Sequence, residues 1–280
     1  MLVTGATSGV GMAIAARLAS AGATVIIHGP TRGATNEARD AVNEMFPESD
    51  LHIAVGDLSS QDAVRDLAAD IQDRFEILDV LVNNAAAVFD EFSVNGEGIE
   101  LTFAVNHLGH YLLSRLLLPT LERSKQGRIV IVASEAHRRV VWDPDGLQPS
   151  APYDRFDAYA RSKLANLLFN AELARRLNGS AVTTNAAHPG TVRTRLFRPR
   201  NIGERIAMPV LNLKAASPGV GADTFVWLAS SPVVAGLSGG YYHQRERVEP
   251  SPQVGDEHNG FELWKVSADL TGLPIDVERR

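Results

Sequence analysis

Thr4-Gly5-Ala6-Thr7-Ser8-Gly9-Val10-Gly11 is the stretch on which the reading of this chain turns. It follows a short apolar run at 1–4 and leads into a helical pattern over about 9–21 that carries Ala13, Ile14, Ala16 and Leu18. Gly5 permits a tight turn, and Gly9 and Gly11 allow a close approach where a Cβ would clash. A helix that opens on such a turn leaves its first N–H groups unpaired. Together with the positive end of its dipole, these suit an anionic group such as a pyrophosphate. Glycine spacing alone is weak evidence, and a plain structural turn is the alternative; the strand–turn–helix setting gives it weight. Only about four residues precede the turn, so upstream residues are expected to be missing from the start.

Outward from this turn, short apolar runs alternate with amphipathic segments. Strands are expected at 1–4, 23–28, 51–55, 78–82, 128–133, 181–188 and 240–242, and helices at about 9–21, 33–46, 60–75, 96–124, 156–178 and 217–230. Continuous β-branched strands alternating with helices predict an α/β protein. Its parallel sheet, of about seven strands, is doubly wound and covered by helices on both faces in three layers. Ligands of such sheets bind at the carboxyl ends of the strands. No composition break marks a linker, so residues 1–280 read as a single domain. Two proline-containing stretches, 135–155 and 189–216, follow strand ends and are expected to wall a substrate pocket.

Composition narrows the classes. The 280 residues are 45% hydrophobic and carry a formal net charge of −6, which suits a globular protein and offers no cationic surface for nucleic acid. There is no cysteine, which excludes disulfides and thiolate chemistry and fits a reducing cytoplasm, the expected location. No stretch approaches the roughly 18–20 apolar residues of a membrane span.

With Asp57-Leu58, Asn83-Asn84-Ala85, Asn106, Ser134, Tyr159 with Lys163, and Pro189-Gly190 in order behind the glycine turn, the whole chain resembles the short-chain dehydrogenase/reductase family. The 25-residue separation of Ser134 from Tyr159, and the stretches FAVNHLGHYLLSRLLLP, YARSKLANLLFNAELARRL and HPGTVRT, resemble its branch of retinol dehydrogenases and WW-domain oxidoreductases. The resemblance implies a Rossmann-type fold and an NAD(P)-dependent enzyme that interconverts a carbonyl and an alcohol. It also implies a cofactor site of Gly5, Thr7, Ser8, Gly9, Val10, Gly11, Arg32, Asp57, Leu58, Asn83, Ala85, Tyr159, Lys163, Pro189, Gly190 and Val192. Asp57 would contact the adenine amino group, a plain turn residue being the alternative. Asn83 and Ala85 would line the cleft. Ala86 departs from the family's usual glycine.

Tyr159 and Lys163 lie four apart on one helical face. A tyrosine near pKa ~10 is a poor catalyst at neutral pH. A neighbouring ammonium and the positive nicotinamide ring would favour its phenolate and bring its pKa towards working pH. Tyr159 would then exchange the proton of the substrate oxygen, and Lys163 would hold the nicotinamide ribose. Ser134, just past the fifth strand, could hydrogen-bond that oxygen; a cap on its own backbone is the plainer reading. The resemblance implies that Asn106 holds a water in a proton relay to Lys163, a solvated helix asparagine being the alternative. His107 and His110 lack acidic companions, so no metal is expected. His188 reads as strand-end packing.

The second strand ends His28-Gly29-Pro30-Thr31-Arg32, without the acidic residue that binds the ribose of NAD. Arg32 could reach the extra phosphate, so NADP(H) is favoured over NAD(H); a solvated loop arginine is the alternative. Trp142, Leu147, Leu196, Phe197, Ile206 and Met208 suggest an apolar lining and a hydrophobic carbonyl or alcohol substrate. Two rival readings are a non-catalytic cofactor-sensing binding protein and a sugar-nucleotide epimerase or dehydratase on the same fold. The segments 96–124 and 156–178 resemble helices that pair in family dimers and tetramers. A homodimer or homotetramer is therefore one expectation, and simple coverage of the sheet the other.

Overall fold

Period-2 alternation along the strands sorts their side chains onto two faces. A computed structural model describes residues 1–147, 152–192, 196 and 215–277. In it the strands are β1 (Leu2–Val3), β2 (Val25–Gly29), β3 (Leu51–Val55), β4 (Val80–Asn83), β5 (Arg128–Val132), β6 (Thr183–Ala187), β7 (Tyr241–His243) and β8 (Glu246–Arg247). They form one sheet in the order β3-β2-β1-β4-β5-β6-β7-β8, parallel except for β8 against β7. Ile129 and Ile131 join the core on one side, and Val130 and Val132 the core on the other. The first core is closed by α3 (Gln61–Arg74), α5 (Gly109–Glu122) and α6 (Arg155–Arg176), and the second by α1 (Gly9–Ser20), α2 (Arg32–Met45) and α7 (Pro218–Ser230). The order reverses between β1 and β4, which places a crevice beyond the carboxyl ends of those strands.

Three differences from the sequence reading have physical causes. An eighth strand forms because Gln244 and Arg245 turn the chain back with φ of 50° and 65°, and the Arg245 guanidinium grips both oxygens of Asp223 at 2.6 and 2.7 Å. The helix expected over 96–124 begins at Leu101 as a single turn, α4 (Leu101–Phe103). It passes through a π-helical segment, Ala104–Leu108, before α5. An unanticipated helix, α8 (Glu257–Thr271), is capped by Asp256 and ended by left-handed Gly272. It buries Trp264, with the guanidinium carbons of Arg115 and Arg176 at 4.8 and 4.4 Å from the ring centre. Side chains of α3, α5 and α6 hold the carbonyls of Leu270, Thr271, Pro274, Ile275 and Asp276.

Candidate active site

The glycine turn leaves β1 at Thr4 and enters α1. Gly5 and Gly9 adopt φ of +60° and +59°, which L side chains rarely take. A Cβ on Gly5 would lie 2.7 Å from the Ala85 Cα, whereas one on Gly9 would meet no heavy atom within 4 Å. The turn is therefore closed by protein at Gly5 and open at Gly9. Ser8 stands at the N-cap position of α1 without capping it through its side chain, so the first-turn N–H groups stay available. Thr7 is half-buried and Val10 buried. This open, N–H-rich turn fits the pyrophosphate of a dinucleotide.

Buried polar groups hold the turn in place. Thr4 Oγ1 accepts the N–H groups of Asn84 and Ala85 at 2.8 and 3.0 Å, and the Asn84 amide donates to the Thr4 and Gly5 carbonyls at 2.8 and 3.2 Å. His110 Nδ1–H donates to the Asn106 carbonyl at 3.1 Å, which leaves Nε2 to accept the Thr4 hydroxyl at 2.9 Å. His28 Nδ1 accepts the Gly5 N–H at 3.2 Å, and its Nε2–H donates to the Gly56 carbonyl at 2.9 Å. Burial drives both histidines to the neutral form, with pKa values lowered to about 4 for His28 and about 3 for His110. Sequence reasoning did not assign Thr4, His28, Asn84 or His110 to the site. The available signal was polar residues set beside or inside apolar runs, Thr4, His28 and Asn84 at strand ends and His110 in α5.

The remaining cofactor-side residues divide. Arg32 is exposed in the first turn of α2, behind the capping Thr31. One Asp57 carboxylate oxygen accepts both the N–H and the hydroxyl of Ser59 at 2.9 Å, as a turn residue does. Leu58 is buried against Gly109. Asn83 departs from expectation: its side chain is buried and donates to Ser114 Oγ at 2.8 Å, within the helix layer instead of lining the cleft. Asn83 is the last residue of β4, and the pleat sends its side chain to the helix layer; Asn84 and Ala85, past the strand end, are the residues that meet the glycine turn. Gly190 takes φ of +73° beside Pro189, and Val192 bridges to Ala216.

At the adjoining strand end, α6 delivers Tyr159 and Lys163 to the side of Ser134. The Tyr159 hydroxyl hydrogen-bonds the Ser134 side chain, and the Lys163 ammonium lies 5.5 Å from the centre of the Tyr159 ring. Lys163 is buried and donates to the Val132 carbonyl at 3.0 Å. Desolvation lowers its pKa to about 8. The anticipated lowering at Tyr159 is reversed among the chain's own groups: burial pushes the phenol up to about 12, outweighing the Ser134 hydrogen bond. Within this chain Tyr159 is therefore held as the protonated acid.

Asn106 lies in the π-helical segment, a feature that recurs at functional sites. Its side chain clamps the Ala87 backbone, accepting the N–H at 2.7 Å and donating to the carbonyl at 3.0 Å, and donates to Ser162 Oγ at 3.0 Å. Both amide hydrogens are thereby engaged, and Oδ1 keeps one lone pair. His107 is structural, spanning Asn166 and Ser267. The described residues include no cluster suited to a metal. His188 stacks on His243 with centroids 4.1 Å apart. Of the expected pocket lining, Leu147 is buried in the core and Trp142 packs against it, while Phe197, Ile206 and Met208 lie outside the described residues.

Comparison with known proteins agrees with this geometry. The short chain dehydrogenase family matches residues 1–205. The chain is 39% identical over 290 residues to retinol dehydrogenase 14 of Homo sapiens, covering 98% of this chain and 86% of that protein. It is 36% identical over 279 residues to retinol dehydrogenase 13 of Homo sapiens, covering 98% and 84%. A solved structure of an uncharacterized protein from Mycobacterium paratuberculosis superposes with a TM-score of 0.79 at 30% identity, covering 99% of this chain and 94% of that one. Neither the cofactor-sensor nor the sugar-nucleotide reading is favoured by these relatives. The chain belongs to the short-chain dehydrogenase family, in its retinol dehydrogenase-like branch, and is an NAD(P)-dependent oxidoreductase that interconverts a carbonyl and an alcohol.

Proposed function

We propose that the chain works as a single domain on a hydrophobic carbonyl or alcohol of retinoid-like size and polarity, with NADP(H) preferred to NAD(H). The bound nicotinamide supplies or accepts the hydride. Tyr159 gives its phenolic proton to the substrate oxygen during reduction and recovers it during oxidation. Ser134 donates a hydrogen bond to that oxygen and steadies the charge that develops on it. Lys163 holds the nicotinamide ribose hydroxyls, and its ammonium offsets the phenolate that Tyr159 leaves behind. Gly9, Val10 and Gly11 offer backbone N–H groups to the pyrophosphate, and Arg32 with the α2 N-terminus receives the ribose phosphate. The Asn106 side chain fixes the Ala87 backbone, and so supports the loop after β4.

The observation that carries this reading is the hydrogen bond between Ser134 and Tyr159 beside the buried Lys163 ammonium, at the carboxyl edge of β5. The relatives' names support the retinoid-like class. The test is a panel of retinoid, steroid and aromatic carbonyls, assayed with NADPH and NADH by nicotinamide absorbance, for wild type and Tyr159→Phe. Turnover by wild type with loss of at least about a hundredfold in kcat in the variant is expected. Equal rates in the two proteins would remove Tyr159 from the chemistry.

A further inference from the structure

The turn that follows β5 is pinned at successive residues. Ser134 Oγ accepts the Ala136 N–H at 3.2 Å, and the Ser134 carbonyl accepts Nδ1–H of His137 at 2.7 Å. Glu135 receives the Tyr241 hydroxyl at 2.9 Å and the Arg138 Nε–H at 2.8 Å. His137 is fully buried, stands edge-on to Tyr241 with centroids 5.6 Å apart, and accepts the Ser251 N–H on Nε2 at 3.0 Å.

Both ring nitrogens of His137 are assigned by their partners. A carbonyl only accepts and an amide N–H only donates, so Nδ1 carries the proton and Nε2 does not. Burial is the main cause that keeps the pKa of this imidazole below its ordinary value, which favours the neutral form the arrangement needs. The β5–β6 ladder ends earlier, at Val132 and Ala187, so this bond adds nothing to the sheet itself. It acts on one residue, the serine that meets Tyr159.

We propose that His137 is a positioning residue for the reaction, holding the Ser134 carbonyl so that Oγ stays in register with the Tyr159 hydroxyl. This rests on the reading of Ser134 as the group that holds the reacting oxygen. Ser134 has extended backbone, with φ −159° and ψ 148°, and its ψ sets where the carbonyl points. The His137 backbone N–H also reaches this carbonyl, at 3.1 Å; the ring, tied to Ser251, adds the shorter bond at 2.7 Å and so narrows that ψ, and with it the course of the turn behind Oγ. A displacement of about 1 Å at such a group can cost up to about a hundredfold in rate.

Asparagine and glutamine separate the two ends of the ring. Asn at 137 places an amide where Nδ1 lay and can still donate to the Ser134 carbonyl, but falls short of Ser251. Gln reaches Ser251 with its carbonyl oxygen and gives up Ser134. With NADPH and the best carbonyl of the panel above, kcat should fall about tenfold or more in His137→Gln and stay within about threefold of wild type in His137→Asn. The KM for NADPH should hold in both. His137→Asn should lose the more thermal stability, because it leaves the Ser251 N–H unpaired, whereas in His137→Gln the Ser134 carbonyl keeps the backbone N–H of residue 137. In a Ser134→Ala background, His137→Gln should cost nothing further in kcat. Equal kcat in the Asn and Gln variants, or additive losses in the double variant, overturns the proposal. Wild-type kcat in Ser134→Ala alone instead overturns the reading of Ser134. Should His137→Gln fail to fold by circular dichroism, His137→Asn against His137→Ala makes the same comparison.

Discussion

The glycine turn at the end of β1 and the serine turn at the end of β5 border the same crevice, yet different chemistry holds them. At the glycine turn the groups offered to a ligand are backbone N–H groups, and buried neutral side chains (Thr4, Asn84, His28, His110) tie that backbone to its neighbours. At the serine turn the groups offered are side-chain atoms of Ser134, Tyr159 and Lys163, delivered from a strand end and a helix that are already complete without them. The first region therefore joins stability to function, because the same hydrogen bonds serve both. The second separates them, because the Lys163 ammonium is buried at some cost to the fold.

Lys163→Met is expected to break this comparison most strongly if it is wrong. Activity should fall about a hundred- to thousandfold. The urea midpoint should stay level or rise, since an apolar side chain of similar volume replaces a buried ammonium. A clear fall in midpoint would mean that Lys163 holds the fold together, and the two regions would no longer differ. Thr4→Val probes the other side. The shape is kept, but the Ala85 N–H and His110 Nε2 lose their partner, and the Asn84 N–H keeps only the Val82 carbonyl. A loss of about 2–4 kcal/mol in denaturant unfolding, with weaker cofactor binding, is expected. Full stability with weaker binding would uncouple what the geometry joins.

The two regions were not equally legible in the sequence. Glycines at 5, 9 and 11 announce themselves, because few other residues accept φ near +60° or so close an approach. The parallel sheet was legible from its β-branched runs, and Tyr159, Lys163 and Ser134 from a resemblance that fixes their order. What stayed hidden depends on where a side chain points after folding. Asn83 and Asn84 are adjacent and chemically identical, yet the pleat sends Asn83 to Ser114 and leaves Asn84 to the glycine turn. His28 and His110 are 82 positions apart and meet the same turn only through the sheet order. The helix at Glu257–Thr271 carries readable signals in Asp256 and Gly272, but lies beyond the βα alternation that marks the other helices.

A smaller effect sharpens the comparison at the outer end of the cofactor side. Arg32 is exposed and lies in the first turn of α2, so removing it touches little of the fold. Arg32→Ala should raise the KM for NADPH about tenfold, the scale of one charge-assisted hydrogen bond, and leave the KM for NADH and the melting temperature unchanged. Equal changes for the two cofactors would withdraw the NADP(H) preference. The same outcome would leave the glycine turn as the common anchor for both.

The smallest expected effect lies in the pH dependence of folding. Burial lowers the Lys163 pKa to about 8, whereas the unfolded chain keeps the ordinary value near 10.5. Between those values the unfolded state binds more protons than the folded one, so stability should rise with pH across that window. The strain of the buried ammonium is present in full below the folded value and is relieved as the proton leaves. From pH 8 to pH 9 this group should add on the order of 1 kcal/mol, read as the difference in urea midpoint between wild type and Lys163→Met. If the two proteins follow parallel curves, the Lys163 ammonium is no burden on the fold. The serine side would then be built on the same terms as the glycine side, with Lys163 contributing to stability instead of opposing it.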